Sequence, residues 1–175
     1  MTTEGFAVWL TGVPSSGKTT IAKALKKKLK EKGINVQILE SDELRRVLTP
    51  KASYTEEERD IFYNAMAYIG WLLVKNGVNV IFDATANKRK YRDNARRLIK
   101  NFIEVYVKCP LEVCMKRDAK GLYKKALKGE VKRLPGLQAV YEEPINPEVI
   151  VNTDRETVDE CVRKIMEKIE EILRK

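Results

Sequence analysis

Eight consecutive residues, Gly12-Val13-Pro14-Ser15-Ser16-Gly17-Lys18-Thr19, follow the spacing G-x-x-x-x-G-K-[ST]. Glycines in such a loop let backbone N–H groups turn inward on phosphate oxygens, the lysine neutralises charge on the β- and γ-phosphates, and the hydroxyl beside it ligates Mg²⁺. The chemistry implied is phosphoryl transfer from ATP, with Thr20 completing the nucleotide-contacting run. Such transfer also needs a carboxylate at the carboxyl end of a strand beside the loop, to hold the metal's water shell or to take the acceptor hydroxyl's proton. Asp42 and Asp83 both stand at such positions, and each could instead cap a turn or a helix. Arg117, Lys120, Lys124 and Lys125 lie where a basic lid would close over the transferred group.

The elements that must position these residues follow from the apolar pattern. Phe6 to Leu10 is a short continuous apolar run, as expected of a strand covered on both faces, and it feeds directly into the glycine loop. Ile21, Ala24, Leu25 and Leu29 recur at helical spacing, and Lys32-Gly33 closes that helix. A second strand, Val36 to Leu39, ends at Glu40-Ser41-Asp42. Thr55 and Glu58 read as a reciprocal capping box opening a long helix with Phe62, Ala65, Met66, Ile69, Leu72 and Leu73 on its stripe. Gly77 stops it, Val78 to Phe82 forms a third strand ending at Asp83, and a basic helix spans about Arg89 to Lys100. Ile103 to Val107 reads as the fourth strand and Val149 to Val151 as the fifth. Between them lie a helix opening at Pro110, a basic segment from Lys120 to Arg133 and a proline-marked irregular stretch. Val158, Val162, Ile165, Ile169 and Ile172 share one face of a final core-docking helix.

Alternating strands and helices predict an α/β protein with the P-loop nucleoside-triphosphate hydrolase fold. A mainly parallel five-stranded sheet, with the first strand central, is flanked by helices, and a kinase-type lid covers about 117–136. The 175 residues read as one domain, 1–175. Thirty-four Lys and Arg against 25 Asp and Glu give a net charge of +9, which attracts phosphate-bearing molecules, from nucleotides to RNA, without choosing among them. Neither a signal peptide nor an apolar run of membrane-spanning length is expected, which places the protein in the cytoplasm with no membrane partner. Cys109, Cys114 and Cys161 read as reduced thiols, and the absence of histidine leaves zinc few ligands.

Pro110 to Cys114, Arg117 to Ala126, Gly129-Glu130, Tyr141 to Pro144 and Asn146-Pro147-Glu148 resemble, almost residue for residue, the lid and following loop of the adenylylsulfate kinases. That family phosphorylates the 3′-hydroxyl of adenosine 5′-phosphosulfate. The resemblance implies ATP and Mg²⁺ at the glycine loop, Arg117 on the nucleotide, Lys120 toward the acceptor, and a small nucleotide acceptor in place of nucleic acid. Asp42 and Arg45 match the family's Asp-Gly-Asp-x-x-Arg segment, which implies that Asp42 lies by the metal and acceptor hydroxyl and that Arg45 binds the acceptor nucleotide. Glu40 and Ser41 replace the first two members. Tyr54 stands where the family stacks a phenylalanine on the acceptor adenine, Arg59 matches the arginine of its Glu-Asp-Arg segment, and Leu134 replaces a second stacking phenylalanine. Phe62 stands in place of an asparagine, and Asn64-Ala65 in place of an arginine pair expected to put positive charge beside the sulfate. Ala86 replaces a serine described as a phosphorylated intermediate, so direct in-line transfer is expected. The metal carboxylate remains Asp42 or Asp83. Other readings are a kinase of the same fold acting on a polyol, an RNA end or aminoacyl-tRNA, and an inactive nucleotide-binding subunit. A homodimer is expected from the resemblance alone.

Overall fold

All five residues of β1 (Ala7–Thr11) are buried, as two-sided coverage of a central strand requires. The computed structural model describes residues 3–175. The strands β2 (Val36–Glu40), β3 (Asn79–Asp83), β4 (Phe102–Lys108) and β5 (Val149–Asn152) join β1 in a parallel sheet of order β2-β3-β1-β4-β5. The expected five strands and central β1 are therefore present, with ends shifted by a residue or so.

Helices α1 (Lys18–Glu31) and α7 (Val158–Leu173) cover one face, where Leu25, Leu29, Ile165 and Ile169 pack on Val8, Leu10 and Val105. Helices α3 (Glu56–Lys75) and α4 (Arg89–Leu98) cover the other, where Phe62, Met66 and Tyr91 pack with Trp9 and Phe82. Trp9 stacks on Phe82 with ring centroids 4.4 Å apart, and its indole N–H donates to the Ala84 carbonyl at 3.1 Å. Gly70 lets α3 approach this pair, because a Cβ there would run into the Phe82 ring. Gly70→Ala should therefore destabilise the protein by about 2 kcal/mol or more, the cost of overpacking a filled core. Denaturant unfolding monitored by tryptophan fluorescence checks this.

A short helix, α2 (Ser41–Leu48), follows β2 where only a strand end was expected. Two further helices appear, α5 (Leu111–Arg117), which leads into the segment expected to form the lid, and α6 (Leu122–Leu127) within it. The α4 helix ends at Leu98, two residues before the expected Lys100. The capping box at Thr55 is half made. The Thr55 hydroxyl accepts from the Glu58 N–H at 3.3 Å, but the Glu58 carboxylate takes the N–H groups of Ser53 and Tyr54 at 2.8 and 3.2 Å. A complete box opens α7, between Thr157 and Glu160. All three thiols are free, with Cys114 and Cys161 buried and Cys109 half-buried.

Candidate active site

The β1 strand ends at Thr11 and the chain turns through the glycine loop into α1. A Cβ on Gly12 would crowd the Val107 carbonyl and sit 2.7 Å from the Ser16 hydroxyl, while Gly17 has φ 109°, a left-handed value that favours glycine. No side chain caps α1 and no acid occupies its first turn, so its leading N–H groups are left for an anion. Val13 is the exception within the loop, since its side chain packs into the apolar cluster beneath the lid.

Lys18 is buried, and its ammonium donates to the carbonyls of Gly12 and Val13 at 2.9 and 3.0 Å. Burial pushes it down to about 8, a fall that Asp83 opposes. The Thr19 hydroxyl donates to Asp83 Oδ2 at 2.6 Å, and Asp83 stands at the end of β3, beside Leu10 of β1. Thr19 and Asp83 are hard oxygen donors, and no cluster of three or more His, Cys, Asp or Glu that could hold a metal occurs among the described residues. That set fits Mg²⁺, which keeps most of its shell as water and phosphate oxygens and needs few protein ligands.

A cavity of about 640 Å³ is lined by Gly17, Lys18, Thr19, Thr20, Asp83 and Arg117. A second, of about 460 Å³, is lined by Arg45, Tyr54, Arg59 and Leu134. The two share Pro14, Ser41, Asp42, Thr85 and Leu122, so Asp42 lies at their junction. Asp42 sits in the first turn of α2 and forms an ion pair with Lys120 of the lid.

The lid is tied to the loop it covers. Arg117, the last residue of α5, donates to the Ser16 carbonyl at 3.3 Å and to the Thr153 carbonyl at 2.8 Å. The Tyr123 hydroxyl donates to the Pro14 carbonyl at 2.7 Å, and Asp118 caps α6 by accepting from the N–H groups of Tyr123 and Lys124 at 3.0 Å each. Thr153, which sequence reasoning missed, donates its hydroxyl to the Ser16 carbonyl at 2.6 Å. The segment from Tyr141 to Glu148 is held by α4 instead of forming the nucleotide cavity. Arg92 donates to the Glu142 carbonyl, and Arg96 donates to Glu148 Oε2 at 2.8 Å.

In the second cavity, the Arg45 guanidinium lies 3.9 Å from the Phe62 ring centroid and 4.6 Å from that of Tyr54. Phe62 thus supports Arg45 from below. Arg59 donates to the Arg133 carbonyl at 2.8 Å, joining α3 to the lid's far end. Leu134 is 4% exposed and packs with Cys114, Tyr123 and Ala126 while lining the cavity. Tyr54 holds φ 58°, a strained value for a bulky residue. Glu58 holds that strain in place: it accepts from the Ser53 and Tyr54 N–H groups and lies 3.5 Å from Arg45. Desolvation raises the Glu58 pKa, but these hydrogen bonds outweigh it and hold the carboxyl below its ordinary value.

Asn64 and Ala65 line neither cavity, contrary to the expectation that they remove charge beside the acceptor. Asn64 is exposed and accepts from Asn94 of α4 at 2.7 Å, and Ala65 lies on the outward side of α3. Ala86 is fully buried, with its N–H donated to the Tyr63 hydroxyl at 3.1 Å.

Residues 4–152 match the family model for adenylylsulphate kinase. An adenylyl-sulfate kinase from Rippkaea orientalis is 44% identical over 172 residues, covering 98% of this chain and 95% of that protein. A probable adenylyl-sulfate kinase from Pyrococcus abyssi is 45% identical over 169 residues, covering 97% of each. Among solved structures, the Mycobacterium tuberculosis APS kinase in complex with AMPPNP and APS matches with a TM-score of 0.90 at 32% identity, over 95% of this chain and 98% of that one. The glycine loop, the paired cavities and this similarity along nearly the whole chain agree: the protein belongs to the adenylylsulphate kinase family.

Proposed function

We propose that the protein transfers the γ-phosphoryl group of ATP to the 3′-hydroxyl of adenosine 5′-phosphosulfate, giving ADP and 3′-phosphoadenylyl sulfate. The observation that carries this is the meeting of two cavities at Asp42, one bearing the glycine loop and one bearing Arg45, Arg59 and the Tyr54 ring. In-line transfer needs donor and acceptor held within about 3 Å along one line, and adjoining cavities supply that arrangement.

In this reading the free N–H groups of the glycine loop and the start of α1 bind the triphosphate, and Lys18 leaves its two carbonyl partners to meet charge that builds on the transferring group. Thr19 and Asp83 would hold Mg²⁺, which would supply positive charge against the phosphates. Asp42 receives the proton of the 3′-hydroxyl as that oxygen bonds to the γ-phosphorus and the bond to the β-phosphate oxygen breaks. Its ion pair with Lys120 is half-exposed on both sides and therefore worth about 1 kcal/mol or less, so it yields readily to an arriving acceptor. Lys120 is then free to face the phosphates. Arg117 holds the nucleotide, and Arg45 and Arg59 meet the acceptor's negative groups while Tyr54 stacks on its base. Buried Ala86 carries no hydroxyl to phosphorylate, so transfer is direct. No helix among the described residues is long and apolar enough to cross a membrane, and a cytoplasmic setting, where ATP is plentiful, suits the reaction.

Incubation with Mg·ATP and adenosine 5′-phosphosulfate should release ADP only when the acceptor is present. ATP binding without acceptor-dependent turnover would overturn the acceptor and turn the search to polyols and RNA ends. Within the same assay, Glu58→Ala should raise the acceptor KM by about tenfold while changing kcat less, because its charged hydrogen bonds set the Tyr54 backbone and Arg45. An unchanged KM would remove Glu58 from acceptor positioning.

A further inference from the structure

Tyr141 lines neither the nucleotide cavity nor the acceptor cavity, yet its hydroxyl is turned toward the root of the glycine loop. There it meets Thr11, the fully buried last residue of β1, at 3.0 Å. The Thr11 hydroxyl has one proton, and the Thr85 carbonyl, which can only accept, takes it at 2.6 Å. Tyr141 is therefore the donor to Thr11. The three groups form a chain from the Tyr141 O–H through the Thr11 O–H to the Thr85 carbonyl, in which each hydrogen bond polarises the next. Burial pushes the Tyr141 phenol up to about 12, so it keeps the proton it donates at neutral pH.

Thr85 is the residue this chain serves, and it lines both cavities beside Asp42. Next to it Ala86 holds φ 45°, a left-handed value that is strained for a residue with a Cβ. Such a backbone persists only where its surroundings over-determine it, and each residue of 84–87 is pinned. The Ala84 carbonyl accepts from the Trp9 indole at 3.1 Å, and the Thr85 carbonyl accepts from Thr11. The Ala86 N–H donates to the Tyr63 hydroxyl at 3.1 Å, and the Asn87 carbonyl accepts from the Glu142 N–H at 2.7 Å. Tyr141 is itself held in place. Arg92 is 1% exposed and paired with Glu104 at 3.3 Å; it donates to the Glu142 carbonyl and lies 5.7 Å from the Tyr141 ring centroid. We propose that Tyr141 is a positioning residue for phosphoryl transfer, acting through Thr11 and the Thr85 carbonyl to keep the two cavities aligned. The inference rests on the kinase reading above, in which a misplacement of about 1 Å at the reacting groups can cost about a hundredfold in rate.

Tyr141→Phe keeps the ring and deletes the donor. It should lower kcat by about tenfold and leave KM for ATP and for adenosine 5′-phosphosulfate within about twofold, because neither substrate touches the hydroxyl. Thr11→Val should do the same, and the double variant should be no slower than the slower single, since both break one chain. Tyr106→Phe is the control: it deletes a hydroxyl bonded to Glu143 at 3.0 Å, beside Tyr141 but outside the chain, and should leave kcat as in the wild type. Hydrogen exchange read by mass spectrometry needs no acceptor, and Tyr141→Phe should quicken exchange over 84–87 by about tenfold where Tyr106→Phe does not. An unchanged kcat in Tyr141→Phe, an equal loss in Tyr106→Phe, or additive losses in the double variant overturns the proposal. If the wild type turns over no adenosine 5′-phosphosulfate, the acceptor reading fails by itself and exchange decides: unaltered exchange over 84–87 overturns the positioning role, and loosening by Tyr141→Phe alone sustains it.

Discussion

Lys18→Ala is expected to lower acceptor-dependent kcat by about a thousandfold while leaving the fold as stable as before. The first half follows from where the ammonium sits. It is buried at the start of α1, its hydrogen-bond partners among the described residues are the carbonyls of Gly12 and Val13, and a γ-phosphoryl group in flight concentrates negative charge just where it can reach. The second half follows from the sign of its pKa. A lysine whose folded value is lowered to about 8 is penalised as a cation at neutral pH, and the penalty fades only as pH rises from 8 toward the unfolded value of 10.5. Removing the side chain at pH 7 removes that penalty along with two hydrogen bonds, so thermal stability should hold or rise. A coupled ADP assay beside a calorimetric melt reads both. Retention of more than about a tenth of the activity would refute the role of Lys18, and a large fall in melting temperature would refute the account of its burial.

What could be read from the chain alone depended on whether the signal was contiguous. The glycine loop is eight adjacent residues between an apolar strand and an amphipathic helix, and it stands as expected. Parallel strands announce themselves as continuous apolar runs, which is why β1 and β5 were found within a residue of their ends. Helix α2 was not, since eight residues with one partly buried leucine, Leu44, carry too little period to register. Glu58 shows how a correct pattern can mislead. The threonine and glutamate spacing does open α3, but the glutamate turns to the preceding loop because the strained Tyr54 backbone and Arg45 both need an anion there. Thr153 had no sequence signal at all, for its contact with Ser16 exists only once β5 lies near the glycine loop. Asn64-Ala65 was misplaced for a related reason: a resemblance aligns positions, but which side of α3 they occupy is decided by helical phase, and that phase turns them outward.

The choice between the two aspartates is where geometry adds most to the sequence. Asp83 is 4% exposed and accepts the hydroxyl of Thr19, the loop residue we propose to hold Mg²⁺, at 2.6 Å. Asp42 is half-exposed at the junction of the cavities and engages the lid lysine. We therefore assign the metal to Asp83 and the acceptor proton to Asp42. Asp83→Asn keeps the shape and the hydrogen bond from Thr19 but loses the charge, so the Mg²⁺ concentration giving half-maximal rate should rise by about tenfold or more. Asp42→Asn should leave that concentration nearly unchanged and nucleotide affinity intact, while kcat falls by about a hundredfold or more because no group remains to take the hydroxyl proton. Titrating turnover against Mg²⁺ for both variants separates the roles. If Asp42→Asn shifts the metal requirement and Asp83→Asn does not, the assignments are reversed; if both variants turn over like the wild type, neither carboxylate takes part in transfer.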